Sequence, residues 1–111
     1  MILSTLKMIV QAERRADLLE TMMGMIEPAR VERGCLSYRL YEEVENRNAF
    51  ILVEEWATQE DVERHISKDS QRGLLVLMDL LSEQPEFRFN TVSHTAGMEL
   101  IENVLTKYRQ V

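Results

Sequence analysis

His65 carries the side chain best suited to moving a proton near neutral pH. An unperturbed imidazole changes charge between about pH 5 and 8, and a positioned one can serve as a general base. The competing reading is a helix-surface histidine packed on Val62 and Ile66. Trp56 offers a flat ring on which an aromatic compound could stack, and core burial of the same ring is compatible with that use. Glu54, two residues earlier, shares its strand face. Tyr38 could donate a hydrogen bond to a bound carbonyl, or bury its ring and keep its hydroxyl at a wet edge. Arg30 could pair with an anionic group, but the nearby Glu27 and Glu32 favour a structural ion pair. Cys35 is the only cysteine, and with no activator in sight its thiol reads as a small buried group.

Other chemistry lacks its signature. His65 and His94 make no metal-ligand spacing, and no C-x-x-C pair exists. The glycines at 24, 34, 73 and 97 form neither a phosphate loop nor a dinucleotide fingerprint. The expectation is therefore a site without metal or cofactor.

These residues need elements to hold them. The apolar cluster Leu6, Met8, Ile9 and Val10 predicts a first strand over Leu3–Ala12. Leu18, Leu19, Met22, Met25, Ile26 and Ala29 recur at helical spacing, which predicts a helix over Ala16–Arg33, kinked or interrupted at Pro28 and stopped by Gly34. A second strand follows from Cys35 to Glu43, with Leu36, Tyr38 and Leu40 on one face. The polar turn Glu45–Asn48 joins it to a third, Ala49–Trp56, where Phe50, Leu52, Glu54 and Trp56 share a face and Ile51, Val53 and Glu55 take the other. Thr58 and Asp61 start a short helix that runs to Ser67 and carries His65. After a break at Lys68-Asp69-Ser70, Gln71–Leu81 reads as a helix apolar nearly all round. Phe87–Ser93 alternates as a fourth strand. Gly97 then breaks the pattern, and Met98–Tyr108 is an amphipathic tail helix with Met98, Ile101, Leu105 and Tyr108 on one face.

The order β-α-β-β-α-(α)-β is that of a ferredoxin-like α+β fold with a four-stranded antiparallel sheet and a C-terminal helical extension. The expected division is a domain over 1–95 and a tail over 96–111, docked on the body or on a partner subunit. The sheet should bear helices on one face. Its other face, carrying one set from Leu36/Tyr38/Leu40 and Ile51/Val53, is too apolar to stay wet, so two sheets could pack face to face. The apolar helix over 71–81 also argues for self-association.

Composition bounds the partners. Of 111 residues, 45% are hydrophobic and 29% charged, the balance of one globular domain, and the net charge of −6 repels phosphate backbones and anionic membranes. A single cysteine suits a reducing compartment. No apolar run approaches the roughly 20 residues of a membrane span, and the start has no signal-peptide pattern. A cytoplasmic protein is expected, without nucleic-acid or membrane partners.

Pro28-Ala29-Arg30-Val31-Glu32-Arg33-Gly34-Cys35-Leu36-Ser37-Tyr38, then Glu54-Glu55-Trp56, then the short helix with His65, together resemble the antibiotic-biosynthesis-monooxygenase family, which includes quinol monooxygenases. The resemblance spans about Leu3–Ser93. It implies a dimeric α/β barrel paired through the sheets, frequently needing no cofactor, and a monooxygenase acting on a small aromatic substrate, a quinol or polyphenol, with molecular oxygen. His65 and Trp56 would then be the catalytic candidates, and Tyr38, Leu52, Glu54 and Arg30 the substrate-binding ones. Leu52 stands where the family's best-understood oxygenases carry an asparagine. Three alternatives stay open: a small-molecule-binding dimer without turnover, a non-oxidative, isomerase-like enzyme, and haem degradation, against which the first strand lacks the asparagine of such relatives.

Overall fold

The structure is a computed structural model that describes residues 1–68 and 70–109, without the side chains of residues 70–72. Its elements are β1 (Ile2–Ile9), a 3-10 turn (Ala12–Arg14), α1 (Arg15–Arg30), β2 (Cys35–Glu42), β3 (Ala49–Trp56), α2 (Gln59–Ser67), α3 (Ser70–Leu80), β4 (Glu86–Thr91) and α4 (Met98–Arg109). The four strands form one antiparallel sheet in the order β2-β3-β1-β4. The ferredoxin-like expectation holds.

Alternation decides which side of the sheet is dry. Ile2, Ser4, Leu6 and Met8 of β1 are buried, as are Phe50, Leu52, Glu54 and Trp56 of β3. The apolar members of these sets pack with Leu18, Met22, Ile26 and Ala29 of α1, Val62 of α2, and Leu77 and Leu80 of α3. The helices therefore cover one face. On the opposite face Leu3, Ile9, Ile51 and Val53 are only half-buried.

Several boundaries shift for local reasons. β1 ends at Ile9 because the next amides turn elsewhere: Val10 N–H donates to Asn48 O (2.8 Å) and Gln11 N–H to Leu80 O (3.0 Å). α1 runs through Pro28 and ends at Arg30, three residues early. A turn over 31–34 follows, closed by Cys35 N–H donating to Glu32 O at 3.1 Å. In β2 a bulge lies between Cys35 and Ser37. The extra residue breaks the period of two. Leu36 is therefore 59% exposed, while Tyr38 and Leu40 pair with Glu54 and Leu52 on the helix-bearing face. The apolar set left on the open face is Ile51 and Val53.

The expected break at Lys68-Asp69-Ser70 includes Asp69, which lies outside the described residues, and Ser70 opens α3. α3 is not buried all round. Leu77 and Leu80 reach the core, while Leu75, Val76 and Met78 are exposed, because a single helical layer offers a core on one side only. No helix among the described residues is long and apolar enough to cross a membrane.

Candidate functional site

Glu54 and Trp56 stand two residues apart on β3, so both side chains rise from the same face, one pleat apart. The indole Nε1–H donates to Glu54 Oε1 at 2.9 Å. Trp56 is fully closed to solvent and Glu54 nearly so. Tyr38, the partner of Glu54 across β2 and β3, is buried beside them.

α2 brings His65 over this group. Its start is fixed by Thr58, whose hydroxyl accepts from Asp61 N–H (3.2 Å) and donates to the Asp61 carboxylate (2.9 Å). Two turns on, the imidazole lies against the indole, with centroids 4.7 Å apart and planes 30° apart, and meets the Tyr38 ring edge-on at 5.7 Å. Its Nδ1 is 2.7 Å from Glu32 Oε2, and its Nε2 is 3.8 Å from Glu54 Oε1. Lys68 Nζ lies 3.5 Å from the other Glu32 oxygen. His65 is thus clamped between two carboxyl groups, with an indole behind it.

The electrostatics follow from enclosure. Burial pushes the Glu54 carboxyl above its ordinary value, and the Glu32 charge adds to the rise; the Trp56 hydrogen bond and His65 pull the other way. Burial is also the main cause of the upward shift of the Tyr38 hydroxyl, with Glu54 next. The Cys35 thiol is raised too, first by burial and then by Glu54 and Glu32. A raised thiol is a poor nucleophile at neutral pH.

Of the residues singled out from sequence, His65, Trp56, Glu54 and Tyr38 come together. Leu52 is buried beside them on the same strand face, paired with Leu40. Arg30 has no ion pair among the described residues, contrary to the pairing with Glu27 and Glu32 that proximity in sequence favoured. Its Nε–H donates to the Tyr38 carbonyl at 3.0 Å, because α1 ends there and the guanidinium reaches across to β2. Arg30 lines a cleft of about 230 Å³ with Cys35, Leu36, Ser37, Tyr38 and Arg39. Glu32 is the member that sequence reasoning missed. The Glu-x-Gly-Cys run marked its position, but its partner His65 lies 33 residues away. Among the described residues no group of three or more His, Cys, Asp or Glu side chains is arranged to hold a metal ion.

Residues 1–73 match the sequence profile of the antibiotic biosynthesis monooxygenase family. The chain belongs to this family. The Bacillus subtilis (strain 168) protein YcnE, provisionally named a monooxygenase, is 29% identical over 56 residues, which cover 50% of this chain and 59% of that protein. The matched region spans 59% of the length of the curated relatives. Among solved structures, a conserved protein from Methanosarcina mazei Go1 superposes with a TM-score of 0.77 at 26% identity, covering 80% of this chain and 89% of that one. SnoaB from Streptomyces nogalater, a cofactor-independent oxygenase solved as a point mutant, superposes with a TM-score of 0.75 at 14% identity, covering 85% and 94%. At that identity the likeness concerns the fold.

Proposed function

We propose that this chain is a cytoplasmic monooxygenase that acts on a small electron-rich aromatic, a quinol or polyphenol, with His65 as the proton acceptor. The observation that carries the reading is the grip on His65: Glu32 at 2.7 Å from Nδ1, Glu54 beyond Nε2, and Trp56 behind the ring. A carboxylate on Nδ1 holds that nitrogen protonated and leaves Nε2 as the basic one. Membership of the family supports the class of reaction, and SnoaB supports oxygenation without a cofactor.

The chemistry needs little from the protein beyond a base and a dry site. The phenolic proton passes to His65 Nε2. The anion is electron-rich enough to react with molecular oxygen, so the substrate is its own reductant. One oxygen atom enters the ring and the other leaves as water with two hydrogens of the quinol, giving a hydroxylated quinone. The cleft beside Tyr38 and Arg30 has room for one aromatic ring, and the Arg30 guanidinium suits a phenolate oxygen. His65 does not line this cleft but meets the Tyr38 ring edge-on, so the reading requires the substrate to reach past Tyr38. Trp56 and Leu52 are sealed from solvent. Their part is support: Trp56 backs the imidazole and holds Glu54. We read the active unit as a homodimer joined through the open sheet face, where Leu3, Ile9, Ile51 and Val53 are only half-buried.

Oxygen uptake with a panel of quinols and anthrols, corrected for spontaneous oxidation, tests this reading. His65→Ala is expected to lose about 100-fold or more in protein-dependent rate, and Glu32→Gln to lose less. Uptake unchanged in His65→Ala removes the histidine from the reaction. A second reading, a small-molecule-binding dimer without turnover, draws on Leu52, which puts no polar group into the enclosed site. A ligand that binds and is recovered unchanged would select it.

A further inference from the structure

From residue 82 to residue 109 no side chain is buried. This stretch contains β4, the outer strand next to β1, whose six residues are all exposed. Phe87 and Phe89 pair with Leu6 and Ser4, which places both rings on the helix-bearing face, yet they remain 43% and 51% exposed. The stretch ends in α4. At 100° per residue, Met98, Leu100, Ile101, Val104, Leu105 and Tyr108 fill one half of this helix. Glu99, Glu102, Asn103, Thr106, Lys107 and Arg109 fill the other. No residue of the apolar half is buried among the described residues; each stays between 43% and 69% exposed. The radius of gyration is 17.2 Å, against about 13 Å for a compact domain of this size. The chain is 56 Å long in one direction and 21 Å in the shortest.

Twelve residues make a marginal helix in water, since most helical stability comes from packing an apolar face. α4 has such a face, and among the described residues none of it is buried. We infer that α4 is an arm that lays its apolar half on a second copy of this chain and receives that copy's arm in return. The body already carries the complement: Leu75, Val76 and Met78 of α3 and Phe87 and Phe89 of β4 are large, apolar and uncovered. One isologous pairing covers both arms and both patches at once, as two-fold symmetry requires. The charges permit it. α4 carries Glu99 and Glu102 against Lys107 and Arg109, so a neutral helix approaches a chain of net charge −6 without repulsion. The arm goes beyond a sheet-to-sheet dimer, because it makes the second copy necessary for the end of each chain to be dry.

Hydrogen exchange of the α4 amides, read beside the sedimentation mass over a dilution series, tests the arm. In the dimer the α4 amides are expected to exchange at least about tenfold more slowly than an exposed helix. That protection should fade on dilution in step with the dimer mass. The double substitution Ile101→Glu and Leu105→Glu should abolish the protection, whereas Asn103→Lys on the polar half should leave it. A dimer with unprotected α4 amides overturns the arm and leaves the sheet dimer standing. Protection that persists at single-chain mass overturns it in favour of docking on the chain's own body. A single-chain mass at every concentration, with α4 unprotected, overturns the arm and the homodimer together.

Discussion

Glu54 lies between Leu52 and Trp56 on the buried face of β3, its side chain 12% exposed. A carboxyl whose folded pKa is raised binds its proton more tightly in the folded chain than in the unfolded one. Its stabilising contribution is complete below the ordinary value of 4.5 and is lost as pH rises through the higher folded value. Glu54→Gln keeps an oxygen to accept from the Trp56 indole and removes the titration. The variant is expected to melt higher than the parent at neutral pH and to show a flatter decline of Tm with pH above 4.5. Circular-dichroism melts from about pH 4 to 8 measure this, and an unchanged slope would assign the loss to another group. His65 and Glu32 belong to the same scale. Candidate residues were legible because their types are rare and chemically distinct, as with the one tryptophan and a histidine on a short helix. Glu32 was not, because a glutamate in a turn is ordinary until a partner is brought to it.

The turn between α1 and β2 and the cap of α2 lock together. Gly34 adopts φ +84°, and a Cβ there would land inside the carboxyl of Asp61. Asp61 in turn accepts from Arg64 and from the Thr58 hydroxyl, which lower its pKa. Gly34→Ala therefore meets both backbone strain and overpacking, and should cost about 2–4 kcal/mol. Urea unfolding would read it as a lower midpoint at unchanged slope; a loss below about 0.5 kcal/mol would mean the turn relaxes freely. Strands and helices were readable because periods of two and 3.6 are local properties of the chain. The bulge at Cys35–Ser37 was not readable. It re-aims Leu36 toward solvent, and only pairing with β3 defines it.

The open sheet face is the whole-molecule counterpart of these local features. Ile51 and Val53 point away from the helices, and the proposed homodimer covers them. Val53→Glu would place a charge in the centre of that interface, and it is expected to shift the dimer toward single chains by at least about 100-fold in dissociation constant. Sedimentation velocity checks this, and an unaltered dimer mass would move the interface elsewhere. The apolar character of α3 marked a surface that this chain alone does not cover. Which of its residues stay uncovered depended on how α1 and α2 pack against it.

Element order, the helix-bearing sheet and the types of residue available for proton transfer were set by the sequence alone, because each depends on neighbours a few positions apart. Tertiary structure decided the rest. It gave His65 its carboxylate by bringing a turn after α1 against a helix 33 residues later. It sealed Trp56 and Leu52 in the core, and it left the apolar half of α4 unburied among the described residues. Those outcomes depend on register, helix docking and the number of packed layers, and no local pattern encodes them, because each is a relation between segments that only the folded chain brings into contact.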